Sequence, residues 1–147
     1  MRRAIVLVGV IAAALLVLAP PAVAQPQPAS FTVVEQFETE SGVFTSDGSI
    51  VCASGTTSNQ TFGSGYQSDR GVIFHVRKMI TCDDGSGSFT LQLQARAGFN
   101  VGDMTYGPWV VLRGTGDYAT LRGRGTVTGT FTPGGVIDAY TGWLMLR

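Results

Sequence analysis

The chain has 147 residues, with ten basic and ten acidic side chains, a single histidine and 44% hydrophobic residues. That length suits one domain with its own core, and the even charge balance excludes nucleic-acid binding through a basic surface. Two cysteines and one histidine exclude a four-ligand zinc site made from those residue types.

At the N-terminus, Met1 to Arg3 is basic, Ala4 to Ala19 is an apolar run, and Ala22 to Ala24 has the small-x-small form that signal peptidase accepts. The run is shorter than the roughly 20 residues a membrane span prefers, so residues 1–24 read as a secretory signal cleaved after Ala24, with a retained N-terminal anchor as the alternative. Removing 24 of 147 residues leaves 123, and the loss of Arg2 and Arg3 leaves eight basic against ten acidic residues, a net charge of −2. No stable membrane span is expected after cleavage. Residues 25–29, with Pro26 and Pro28, are expected to form a flexible leader, and residues 30–147 a single domain.

Phe31 to Phe37 alternates as a first strand, with Phe31, Val33, Glu35 and Phe37 on one face. Glu35 is the odd member of that apolar row, either a rim carboxylate in solvent or an acid facing a cavity. Val43 and Phe44 are expected to pair with Ile50 to Cys52 across a turn at Ser46 to Ser49, where Gly48 tolerates positive φ. Ser54 to Asp69 is rich in Gly, Ser, Thr, Asn and Gln, and reads as a long surface loop anchored by Phe62 and Tyr66.

The clearest alternation follows. Gly71 to Cys82 places Val72, Phe74, Val76, Ile80 and Cys82 on one face, interrupted by Lys78. After a turn at Asp83 to Gly87, Phe89, Leu91, Leu93 and Ala95 repeat the pattern, which makes a long hairpin with one apolar face. Asp83 and Asp84 lack the further ligands of a calcium loop and serve as turn initiators.

Trp109 to Leu112 enters Gly114, Thr115 and Gly116, and a strand-like pattern is expected to resume through Tyr118 and Leu121. Gly114, Gly116, Gly123 and Gly125 are read as structural turn glycines. Gly114, Gly116 and Ala119 also match a dinucleotide fingerprint, but the β-prone residues 122–130 supply no helix to face a pyrophosphate. Val127 and Phe131 oppose a stripe of Thr126, Thr128 and Thr130. Thr132 to Gly135 then turns the chain, and in Val136 to Leu146, Asp138 and Tyr140 share a parity with Leu144 and Leu146. Because Ile137, Trp143 and Met145 make the other side apolar too, that last strand reads as part of a closed or doubly covered sheet.

About eight strand candidates, with no helical periodicity between them, predict an all-β fold: an eight-stranded antiparallel β-barrel of calycin-like type, with a β-sandwich second. In an exported chain Cys52 and Cys82 read as one disulfide closing a loop of about 30 residues, worth roughly 3 to 4 kcal/mol. No metal site and no cofactor are expected. Catalytic equipment is sparse: there is no G-x-S-x-G elbow, His75 lies mid-strand, and Glu35, Glu38, Asp117 and Asp138 are the acids a carboxylate mechanism could draw on.

The run Trp109 to Gly125, together with Asp138 to Gly142, resembles small secreted bacterial proteins of the allene oxide cyclase barrel-like group over about the last third of the chain. Cys82 to Phe89 is a weaker echo, and dirigent proteins carry a similar Gly-Thr-Gly turn followed by an aromatic and a further glycine. The resemblance implies an eight-stranded barrel with a lumen, and cyclases of this group orient and polarise a reactive intermediate there without a cofactor. The plant enzymes use a glutamate near the first strand, for which Glu35 is the natural counterpart, although its flanking residues differ from theirs.

Two functions follow. The first is a non-catalytic secreted barrel that binds a small apolar or aromatic ligand or serves at the cell surface. The second is a cofactor-independent cyclase or isomerase using Glu35, Asp138 or Tyr140 in the lumen. An apolar cavity with one of those carboxylates buried in it would favour catalysis; a solid lumen would leave only surface roles. The ligand's identity and the oligomeric state are not written in these residues.

Overall fold

A computed structural model describes residues 24–68, 71–98 and 102–147. The leader expected over residues 1–24 lies, except for Ala24, outside them. Eight strands follow in order: β1 (Gln27–Gln36), β2 (Ser41–Ser46), β3 (Ser54–Ser68), β4 (Gly71–Cys82), β5 (Ser88–Ala97), β6 (Met104–Gly114), β7 (Arg122–Thr132) and β8 (Gly135–Met145). Each pairs antiparallel with the next, and β8 returns to β1, so the sheet closes into a barrel. The expected eight-stranded antiparallel barrel is the fold, and the sandwich is not.

Closure follows from a simple alternation. Phe31, Val33 and Glu35 of β1, Val76, Lys78 and Ile80 of β4, Leu91, Leu93 and Ala95 of β5, and Asp138, Tyr140 and Leu144 of β8 are buried, while most of their neighbours of opposite parity, Thr90 and Met145 excepted, turn outward. The outside of β8 is not covered, contrary to the doubly covered option. Ile137 is exposed there beside Val34, which in turn lies opposite Val43, so three apolar side chains simply share a row of the outer wall.

Several local expectations change. β1 begins at Gln27, so most of the stretch read as a flexible leader is strand, its residues paired with the end of β8. Ser54 to Ser68 is a strand rather than a surface loop, because β4 offers it a partner along nearly its whole length; two register shifts, between Asn59 and Thr61 and between Ser64 and Gln67, absorb its irregular composition. Tertiary pairing outweighs weak β propensity here. Ile50 to Cys52 is not a strand but part of the connection from β2 to β3, where the Asp47 side chain accepts a hydrogen bond from the Ser49 backbone N–H at 3.0 Å.

The Gly-Thr-Gly segment also differs. β6 ends at Gly114, residues Gly116–Tyr118 form one 3-10 turn, and β7 starts only at Arg122, so Tyr118 and Leu121 are not strand residues. Both are buried and cap the barrel end. Gly116, at φ +58°, occupies the left-handed region. Gly123 and Gly125 are not turn residues at all: both lie within β7. Gly125 faces Gly142 across the β7–β8 pair and Trp109 across the β6–β7 pair. A Cβ on Gly142 would come within 2.9 Å of the Trp109 ring, so the glycines leave the space in which the indole lies. Its Nε1–H donates to the carbonyls of Thr126, at 3.0 Å, and Thr141, at 3.2 Å, which satisfies the one polar atom of that buried ring.

The barrel therefore has two unlike ends. At one, the β2–β3 connection, the β4–β5 turn and the 3-10 turn converge over Phe31, Phe44, Phe89, Trp109, Tyr118 and Tyr140, with Phe31 stacked on Tyr140 at 4.7 Å between ring centres. Cys52 and Cys82 are joined by a disulfide that ties the β2–β3 connection to the end of β4 across 30 positions. The other end carries the β1–β2 and β7–β8 turns, and among the described residues it is open.

Candidate functional site

The open end leads into a cavity of about 620 Å³, within the range of small-molecule sites. Val72, Val76, Leu93, Ala95 and Val136 form its walls, with Phe37 and Phe131 near the mouth. Those two rings meet edge to face, with centres 5.9 Å apart.

Polar side chains gather at the inner end. On β1, Glu35 lies between Phe37, which lines the cavity, and Val33, which belongs to the core. On β4, Lys78 lies between the cavity residue Val76 and the core residue Ile80, and on β8 Asp138 lies between Val136 and Tyr140. The three charged groups therefore share one level of the barrel, between an apolar cavity and an aromatic floor. Lys78 is 1% exposed, and Glu35 and Asp138 are each 5% exposed.

The Lys78 ammonium donates to Glu35 Oε2, and the Asn59 amide donates to Glu35 Oε1. Lys78 Nζ also stands 3.7 Å from Asp138 Oδ2. Asp138 is held less closely: the Thr105 hydroxyl donates to its Oδ1 at 3.3 Å and the Tyr140 hydroxyl to its Oδ2 at 3.4 Å. Burial pushes the Asp138 carboxyl above the ordinary carboxylate range, and the nearby Glu35 charge adds to that, while Lys78 opposes it. The Tyr140 phenol is raised well above its usual value, first by burial and then by the charges of Asp138 and Glu35.

Glycine makes room for this arrangement as well. A Cβ on Gly129, opposite Asp138 across the β7–β8 pair, would fall on Asp138 Oδ1 and close to Thr105 Oγ1. Two buried oxygens on β3 remain over: Thr57 Oγ1 and Asn59 Oδ1 have no hydrogen-bond partner among the described residues. Because the Asn59 amide nitrogen must face the Glu35 carboxylate, Asn59 Oδ1 cannot be exchanged with it by a flip.

The sequence candidates thus fall into two groups. Glu35, Asp138 and Tyr140 converge, and Glu35 is a cavity acid rather than a rim carboxylate. His75 is exposed on the outer wall, and Glu38 and Asp117 are exposed at opposite ends of the barrel. Lys78 was visible only as an interruption in an apolar row. Its signal was stronger than that, because it is the sole lysine in the chain, the other nine basic residues being arginine. No group of His, Cys, Asp and Glu among the described residues could hold a metal ion.

Comparison with protein-family models, curated proteins and solved structures found no match to this chain. The geometry of the lumen is therefore the basis for assigning a function. It offers an apolar volume ended by a compact charged patch, suited to orient a molecule with a long apolar body and one polar end.

Proposed function

We propose that this protein is an exported barrel that holds a small, largely apolar molecule in its lumen, with the molecule's polar end against Glu35, Lys78 and Asp138. The observation that carries this reading is the apolar cavity itself, since the lumen is not packed solid; the carboxylates buried in it are what favours the catalytic reading below. Burying charge is costly, and a solid apolar lumen would be the cheaper way to stabilise a barrel. The disulfide, with the leader sequence, supports export to an oxidising compartment and cleavage after Ala24. A closed eight-stranded barrel is the fold that the resemblance to the allene oxide cyclase barrel-like group implies.

A second reading, a cofactor-independent cyclase or isomerase, is favoured by one specific observation. Asp138, its carboxyl raised by burial, sits beside both an ammonium and a phenol in an apolar cavity, an arrangement able to move a proton at a bound carbonyl or alkene. Native mass spectrometry of the protein purified from its own host tests the shared premise, since a retained small molecule identifies the ligand class. Displacement of a lumen-bound fluorescent probe gives the control. Ala95→Phe, which fills the cavity wall without touching the charged cluster, is expected to abolish probe binding while the barrel still folds. Unchanged binding in that variant would refute the lumen as the site.

A further inference from the structure

Lys78 has properties that a structural counter-ion does not need. If its task were only to neutralise Glu35, arginine would serve better in a buried carboxylate pair, and arginine fills the other nine basic positions. The chain instead keeps its single lysine at the one place where a long-stemmed amine meets an apolar cavity. Its Nζ has three hydrogens. One is given to Glu35, and the contact to Asp138 is too long for a second hydrogen bond. What distinguishes lysine from arginine chemically is that it can surrender a proton and become a nucleophile.

We propose that Lys78 captures a carbonyl ligand, an aldehyde or unhindered ketone with an apolar body, as a covalent imine inside the lumen. The proposal rests on the lumen-binding reading above and names the reactive group of that ligand. The lysine stem first swings Nζ from 3.7 Å into hydrogen-bond reach of Asp138, and the ammonium passes one proton to that carboxylate. Nζ then attacks the carbonyl carbon, a C–N bond forms as the C=O π bond opens, and one proton passes from the attacking nitrogen to the oxygen, which becomes a hydroxyl. Asp138 returns its proton to that hydroxyl, which leaves as water as the C=N bond forms. One ammonium and one carbonyl compound thus give one protonated imine and one water, with no oxidant or reductant involved.

The surroundings fit each stage. Glu35 and Asp138 flank the nitrogen, so the positive charge of the iminium is matched by the same carboxylates that match the ammonium. The site's charge is equal before and after capture, and no new buried charge has to be compensated. Asn59 and Thr105 hold the two carboxylates from β3 and β6, while the cavity beyond Val76 and Ala95 receives the apolar body.

The sole lysine also makes the experiment clean. Full-length mature protein is incubated with decanal and sodium cyanoborohydride, which reduces an imine to a stable secondary amine, and the product is followed by intact mass and peptide mapping. Lys78→Arg, which keeps the cation beside Glu35, and Ala95→Phe are treated in parallel, with folding checked by circular dichroism. One adduct per chain is expected, equal to decanal less its oxygen atom and located at Lys78. It should be suppressed by excess decan-1-ol and absent from both variants. If decan-1-ol displaces a lumen probe but decanal marks only the N-terminal amine, the imine is overturned and lumen binding stands. If neither molecule enters the lumen, both readings fall.

Discussion

Replacing Lys78 with methionine tests the charged cluster most directly. The side chain keeps its approximate length and apolar stem, so packing between Val76 and Ile80 is largely preserved, but Glu35 and Asp138 lose their common cation. Both carboxylates are at least nine-tenths buried, so solvent compensates little for the lost ammonium. Removing one partner of a buried pair costs about 3 to 5 kcal/mol, a large part of the roughly 5 to 15 kcal/mol that holds a domain together. For a domain of this size the melting point should fall by about 10 to 25 °C. The deficit should depend on pH. Asp138 already has a folded pKa above the ordinary aspartate value of 3.8, so the folded state binds more protons than the unfolded one between those two values, and stability falls as pH rises through that window. Without Lys78, the influence that opposes the shift is gone and the window extends upward. Lys78→Met should therefore lie closest to the wild type below about pH 4 and furthest from it near neutrality. Urea unfolding of the oxidised protein at a series of pH values measures both quantities. A loss under about 1 kcal/mol at pH 7, or one that does not change with pH, would refute the account of three mutually dependent charges.

Two further substitutions separate the cluster from the scaffold. Asp138→Asn removes the group whose folded pKa is raised, so its stability relative to the wild type should improve as pH rises above 3.8 and level off once Asp138 is ionised in the folded protein; urea titrations of the two proteins read this as a pH-dependent difference in midpoint. Replacing Cys52 and Cys82 together by serine opens a connection of 30 positions and should cost about 3 to 4 kcal/mol. Intact mass of the wild type with and without reductant should differ by two hydrogens, and two freely alkylated thiols before reduction would defeat the crosslink.

Legibility from sequence tracked how local each feature is. Strands β4 and β5 announced themselves because alternate residues of one segment face one way, a property of the extended backbone itself. β3 did not, since its Ser, Thr, Asn and Gly residues become a strand only when β4 supplies the hydrogen bonds. The glycines of β7 were misleading for a related reason. Gly123 and Gly125 suggested a turn, whereas what excludes a side chain there is the neighbouring β8 backbone and, at Gly123, the Leu144 side chain. Glu35 was marked as anomalous by its apolar row, but Lys78, equally anomalous in its own row, acquires meaning only opposite Glu35.

By itself, then, the chain's order of residues determined an all-β protein, its alternating inner and outer faces, and the two cysteines available to each other. Those follow from backbone geometry and from counting. The tertiary structure decided which odd residues meet: Glu35 and Lys78 are 43 positions apart, and Asp138 reaches them only because β8 closes on β1. Periodicity says which way a side chain points from its strand, but only the register of closure sets which levels of different strands coincide, and here that coincidence places three charges at the end of one apolar cavity.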